Sequence, residues 1–346
     1  MAMTEAVNPR AVAWAETMRG HSLSQDALVR AHADSDARVG LTEPIGRLAR
    51  EEWEAATLRP GAALASGAGH RAVEEEPDAE RTCFERDRDR IVHSAAFRRL
   101  AGKTQVVVYP RDHQRTRLTH AVEVAQVATS IARGIGVNVT LADAIALGHD
   151  CGHGPGGHAS EEAFDAFITE GFDHGPWGAD VTLAGLNLCA ETLDGIRNHS
   201  WSRPAPTTVE GEIVSWADRI AYCAHDLEDA IRAGIVTPAE LPAEVVEIAG
   251  GTRREQLATF IRAVVATTAR TGVVGMDAGA ASALAALRRF NYERIYTRPD
   301  SLAQARAVIE VLHGLVEYYA GRPDLLPDAS PDLHGDDLMR AAVTYV

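Results

Sequence analysis

The chain has 346 residues, 46% hydrophobic and 24% charged, and a net charge of −15 at pH 7. Such a length buries a substantial core as one large or two modest domains, and so acidic a balance excludes a general binder of nucleic-acid backbone. No apolar run is long enough to span a bilayer, which excludes a membrane helix. The first residues, MAMTEAVNPR, lack the basic and apolar stretches of a secretory signal. Cys83, Cys151, Cys189 and Cys223 form no CxxC pair. The expectation is a cytoplasmic protein with reduced thiols and no zinc ribbon.

Taken in chain order, helical periodicity dominates and strand alternation is scarce. Residues 1–80 contain short helical pieces, AVAWAETMRG and PIGRLAREEWEAATL, followed by GAALASGAGH and the acidic EEEPDAE, which read as loop or linker. Residues 81–120 carry ten basic against four acidic side chains, so a locally cationic segment sits in an acidic chain. It includes Lys103, the single lysine of the sequence. Leu118, Val122, Ala125 and Ala128 share one face of a helix over 118–133. A second helix over 141–150, LADAIALGHD, is ended by Gly152, Gly154 and Pro155. A third over 160–170 begins with a serine cap and acids in its first turn. A fourth spans 209–232, and two or three more fill 239–320, so the fold class is all-α.

The chemistry concentrates at the end of the second helix. ALGHDCGHGPGGH places His149, Asp150, His153 and His158 within ten positions. His120 falls in the first turn of the preceding helix, and Asp218 lies in the middle of SWADRIAY. Polar groups set into apolar helices are costly unless paired, and one metal ion would satisfy His120, His149, Asp150 and Asp218 together. Two imidazoles and two carboxylates suit Mn, Fe, Co, Ni or Mg, and such a set leaves positions open for water or a phosphate oxygen. On spacing alone, histidines that merely cap helix ends remain the competing reading.

Four motifs occur in order: RDRDRIVHSAAFRRLAGKTQVVV, RTRLTHAVEVAQVA, ALGHDCGHGPGGHASEEAF and SWADRIAYCAHDLEDA. Together they resemble the HD-domain deoxynucleoside triphosphate triphosphohydrolases, the dGTPase-like family, from about Arg81 to Arg232, with a fainter echo in LRRFNYERIYTRPD. The resemblance implies an HD-domain helical bundle over 81–235, preceded by a helical and linker segment over 1–80 and followed by a C-terminal helical region over 236–346. It implies a divalent metal on His120, His149, Asp150 and Asp218, and a catalytic His158 supported by Glu161. An imidazole oriented by a carboxylate suits proton transfer at phosphorus or at a departing sugar oxygen.

Further roles follow from the same resemblance. Gln105 matches the position that can read the base edge, and Tyr222 the one that packs on the deoxyribose, with ordinary core packing as the competing reading for a tyrosine at helical spacing. Arg98, Arg99, Lys103, Arg115 and Arg117 are the cations available to a triphosphate, of which two or three suffice. His153 is a candidate phosphate contact or loop support. His199 is expected to be structural, and Asp226, Glu228 and Asp229 form a solvated acidic face or pair with the arginines. The implied reaction is hydrolysis of a dNTP to a deoxynucleoside and inorganic triphosphate, by a homo-oligomer. The alternatives are an HD phosphohydrolase of nucleoside monophosphates or signalling nucleotides, and a non-catalytic nucleotide-binding regulator. Two departures stand out: Gly154-Pro155-Gly156-Gly157 replaces the family's Pro-Pro-Phe-Gly loop, and Arg219 replaces an acid beside Asp218.

Overall fold

The structure, a computed structural model, describes residues 8–17, 20–22, 28–40, 42–106, 112–327 and 333–346. Contacts divide the chain into two units, 1–44 and 45–346. In the first unit, helix α1 (Pro9–Thr17) buries none of its side chains. Strands β1 (His21–Ser22) and β2 (Val29–Arg30) pair antiparallel and form the only sheet among the described residues.

The second unit is helical throughout, in keeping with the all-α expectation. In chain order it contains α2 (Arg47–Thr57), α3 (Cys83–His93), α4 (Ala95–Arg99), α5 (Arg117–Ile135), α6 (Val139–Gly148), α7 (His158–Asp165), α8 (His174–Trp177) and α9 (Ala190–Asn198). It continues with α10 (Val209–Arg232), α11 (Ala243–Ala249), α12 (Arg253–Thr271), α13 (Ala278–Asn291), α14 (Pro299–Ala320) and α15 (Gly335–Tyr345). The stretch between α2 and α3, read from sequence as linker, is packed: the Ala65 amide donates to Glu54 at 2.9 Å, and Arg71 pairs with Asp87 at 2.6 Å.

Helices α5, α6 and α10 build the core around Val124, Ile131, Leu141, Ile145, Ile213 and Ile220, all fully buried. The turn between α5 and α6 is specified locally. Gly136 ends α5 in the left-handed region at φ 86°, and the Asn138 side chain then accepts the Thr140 and Leu141 amides at 3.1 Å to start α6. Helices α6 and α9 approach through reciprocal glycine and isoleucine contacts. A Cβ on Gly148 would lie 2.6 Å from Ile196 Cδ1, and one on Gly195 would lie 2.4 Å from Ile145 Cδ1.

One expected boundary is corrected. The third helix starts at His158, with Gly157 as its N-cap, and Ser160 is not the cap. Gly156 and Gly157 adopt φ of 81° and 61°, which admits the helix two residues early. The Ser160 hydroxyl instead ties the loop from inside, donating to Gly157 O at 2.6 Å and accepting the Gly154 amide at 3.0 Å. A second, smaller core of Phe164, Ile168, Phe172, Trp177, Leu312, Val316 and Val343 clamps α7 against α14 and α15.

The α6–α9 crossing yields a stability test. Gly195→Ala gains up to about 1 kcal/mol of helix propensity but forces a methyl into Ile145, which costs about 1 to 3 kcal/mol. With the full propensity gain the net loss is up to about 2 kcal/mol; denaturant unfolding should report a lowered midpoint, and a raised midpoint would refute the close crossing.

Candidate metal centre

The first turn of α5 brings in His120, the C-terminal end of α6 brings in His149 and Asp150, and the middle of α10 brings in Asp218. His120 Nε2 lies 3.0 Å from Asp218 Oδ1 and 3.8 Å from Asp150 Oδ2. His149 Nε2 lies 3.4 Å from Asp150 Oδ1 and 3.7 Å from Asp218 Oδ1. Ligands about 2.1 Å from one ion sit about 3 Å apart when adjacent and about 4 Å when opposite, so these separations fit a shared cation.

Hydrogen bonding supports the fit. His149 Nδ1 donates to Ala146 O at 2.7 Å, which fixes the tautomer and leaves Nε2 with a lone pair. That Nε2 is buried without a hydrogen-bond partner and faces the two carboxylates. Burial pushes the His149 imidazole down, toward the neutral form a metal requires. Burial alone would raise the Asp150 carboxyl, but Arg117, at 3.0 Å, and the histidines hold it well below the usual range.

A second group of histidines surrounds these four. His174, on α8, stacks flat on His153 with centroids 3.8 Å apart, and its Nε2 meets His199 Nε2 at 3.0 Å. Its Nδ1 donates to Glu161, whose other oxygen lies 3.3 Å from His158 Nδ1. Burial would raise the Glu161 carboxyl, yet His158 and His174 hold it well below the carboxylate range. Glu161 is therefore an anion shared by a buried ring and a ring whose side chain is 72% exposed, His158. His199 donates from Nδ1 to Ile196 O at 2.8 Å, and burial pushes it down to about 3.

Apart from His149, these groups line a cavity of about 520 Å³, within the range usual for small-molecule sites. A more open groove of about 720 Å³ between α3, α5 and α6 carries Arg88, Gln126 and Asp143 but no histidine. The described chemistry belongs to the first cavity.

Of the residues expected to bind substrate, Gln105, Arg117, His153 and Tyr222 line it. Arg98 and Arg99 are exposed on α4 and outside it. Lys103 lies beneath the loop, donating Nζ to His153 O, and burial pushes its ammonium down. Arg115 is engaged by Glu123, Glu228 and Asp229 at 2.7, 2.7 and 2.5 Å. Asp226 is not on a solvated face: it is buried and accepts from Tyr296 at 2.6 Å.

Several lining residues were given no substrate role from sequence. His174 comes from FDHGPW, where Asp173 caps a one-turn helix through the Gly175 amide at 3.0 Å. Arg219 stacks on Trp201 with its guanidinium carbon 3.4 Å from the ring centroid. Arg288 donates to the Tyr222 hydroxyl at 2.9 Å. Among the described residues, neither Arg219 nor Arg288 pairs with a carboxylate, although Arg288 lies in the LRRFNYERIYTRPD stretch already matched. The signal for Arg219 was its replacement of an acid.

Comparison with known proteins agrees with this geometry. A family model described as HD domain matches residues 117–223, and one described as phosphohydrolase-associated domain matches residues 274–346. The chain is 41% identical over 284 residues to a deoxyguanosinetriphosphate triphosphohydrolase-like protein of Caldanaerobacter subterraneus subsp. tengcongensis, covering 80% of this chain and 84% of that protein. A protein of the same description from Clostridium perfringens is 38% identical over 285 residues, covering 78% and 83%. One from Deinococcus radiodurans is 37% identical over 346 aligned positions, covering 85% and 92%. No helix among the described residues is long and apolar enough to cross a membrane. With its histidine and aspartate cluster at the heart of the matched segment, the chain belongs to the HD-domain phosphohydrolases and, within them, to the deoxyguanosinetriphosphate triphosphohydrolase-like family.

Proposed function

We propose that the protein hydrolyses deoxynucleoside triphosphates to a deoxynucleoside and inorganic triphosphate, with a divalent ion on His120, His149, Asp150 and Asp218. The observation that carries this reading is a buried His120, His149 and Asp150 cluster, with the half-buried Asp218 3.0 Å from His120, beside a cavity whose wall holds two guanidinium groups without carboxylate partners. When bound, the ion supplies Lewis-acid polarisation of the phosphate oxygens. Arg219 and Arg288 are free to take up triphosphate charge, as Arg98, Arg99 and Arg115 are not placed to do.

His158 is assigned the proton transfer. Glu161 holds its Nδ1, so Nε2 faces outward to give a proton to the sugar O5′ as its bond to the α-phosphorus breaks and water adds there. Tyr222 offers a ring face to the sugar. Asp226 Oδ1, buried without a partner, is an acceptor for a sugar hydroxyl. Gln105 Oε1, equally unpartnered, is an acceptor for a base or sugar donor.

A panel of all dNTPs and NTPs with Mn or Mg, with products separated by chromatography, tests the bond assignment. Triphosphate and deoxynucleoside in equal amounts are expected, and release of pyrophosphate or single phosphates would overturn it. His158→Ala should lower kcat by about 10²- to 10⁴-fold while metal content, measured on the same sample, stays unchanged.

Asp226 gives a pH test. Burial pushes its carboxyl up to about 6, against 3.8 for an ordinary aspartate, so the folded state retains a proton the unfolded state has released. Stability conferred by that proton is present below about pH 4 and is lost as pH rises to about 6. Asp226→Asn, which still accepts from Tyr296, should therefore gain stability relative to the parent between these limits, on the order of 2 kcal/mol. Urea midpoints at pH 4 and pH 7 measure the gain; a pH-independent difference would rule the assignment out.

A further inference from the structure

We infer that Cys83 and Cys189 form a peroxide-reactive dithiol, with Cys83 as the attacking thiol and Cys189 as the resolving one. The two lie more than a hundred residues apart in sequence and both are buried. Their sulfurs converge on the backbone of Gly69. A Cβ there would lie 2.4 Å from Cys189 Sγ, 2.8 Å from Cys83 Cβ and 3.2 Å from Cys83 Sγ. The absence of a side chain at Gly69, at φ 79°, is what lets both thiols occupy one place beneath the loop.

The surroundings distinguish the partners. Cys83 is the first residue of α3, whose N-cap Thr82 and capping box are intact, so its sulfur sits at the positive end of an eleven-residue helix. The Arg71 guanidinium donates to Cys83 O at 3.0 Å. The closeness of the two thiols lowers Cys83 and raises Cys189, which together with the helix end makes Cys83 the better thiolate. Cys189 is fixed in turn: its amide donates to Asp87 at 2.8 Å, and Asp87 is held by Arg71. Cys151 and Cys223 differ, since burial pushes both thiols up and neither has a second cysteine beside it.

The chemistry closes with a peroxide as oxidant. The Cys83 thiolate attacks a peroxide oxygen, giving a sulfenic acid and, with hydrogen peroxide, water once a proton is taken up. The Cys189 sulfur then attacks the Cys83 sulfur and releases a second water. Two thiols are oxidised by two electrons and one O–O bond is cleaved. Both thiols are buried, Cys83 at 1% and Cys189 at 0% exposure, so the peroxide is taken to enter past the strap of residues 61–71, in which every residue but Ala65 is at least partly exposed. The resulting bond would join α3 to the residue that begins α9, the helix ending at His199.

Intact-mass and peptide analysis of the full-length protein after hydrogen peroxide treatment tests this. The expected product is lighter by two hydrogens, contains one crosslink joining the Cys83 and Cys189 peptides, and returns to the starting mass with dithiothreitol. Cys189→Ser should leave Cys83 as a sulfenic acid trapped by dimedone, whereas Cys83→Ser should trap nothing at position 189. Four alkylatable cysteines in the treated, then unfolded, parent protein would overturn the proposal without reliance on any variant. A crosslink to Cys151 or Cys223 would overturn it equally.

Discussion

A carboxylate removed from water governs this structure. The Asp150 side chain is 3% exposed, and an ionised group so placed costs several kcal/mol unless its lone pairs are satisfied. Its partners come from separate parts of the chain: Arg117 and His120 from α5, His149 from the end of α6, His153 from the loop, and His174 from α8. Those elements must converge for the charge to be tolerated. The apolar packing of α5, α6 and α10, and the glycine contacts between α6 and α9, can be read as the framework that permits it. A site of this kind is not added to a finished fold; part of the fold's own energy balance resides in it.

The histidines show how that convergence is made directional. A helix ends with carbonyls that lack amide partners. His149 and His199 each follow α6 and α9 as the C-cap residue, and each donates Nδ1–H to the carbonyl three residues earlier. The bond satisfies a helix end and also commits Nε2 to the interior as an acceptor. Capping and ligation, which on spacing alone compete as explanations of a histidine at a helix terminus, are thus compatible in one arrangement: the cap leaves Nε2 free to serve as a ligand. Glu161 performs the corresponding service for His174 and His158, with one oxygen for each.

This also explains what could be read from sequence. Helix α10 was legible to the residue, because Thr208 caps it and its apolar residues recur at helical spacing over 209–232. His120, His149, Asp150 and Asp218 stood out as candidates because His120 and Asp218 are polar intrusions in helices and His149 and Asp150 follow directly on the apolar α6. His174 was not legible, since its helix is a single turn and its partners His153, Glu161 and His199 are brought to it only by the fold. The basic segment misled in a different way. Charge counted along the chain does not reveal which cations are already neutralised: Arg115 meets three carboxylates, Lys103 serves a backbone carbonyl, and the two unpaired arginines of the cavity lie on α10 and α13. Ser160 was read as a cap because the strain-free entry offered by two left-handed glycines leaves no mark in a propensity argument.

The glycine loop that departs from the family pattern can be judged on the same terms. Loss of an aromatic after Gly154 and Pro155 suggests an open, flexible segment, but space near the loop is occupied from elsewhere. A Cβ on Gly156 would meet Val308 Cγ1 at 2.6 Å, and one on Gly157 would lie 2.8 Å from an Arg117 nitrogen. At 156 and 157 the loop is therefore pressed between α14 on one side and the Asp150 partner Arg117 on the other, and glycine is the residue that fits there. Helix α14 in turn packs on α7 through Leu312 and Val316 in the smaller core. Rigidity that an aromatic would have supplied from within the loop is supplied here by the C-terminal helices. That makes the segment after residue 298 part of what holds His158 in register, although it contributes few groups to the cavity wall.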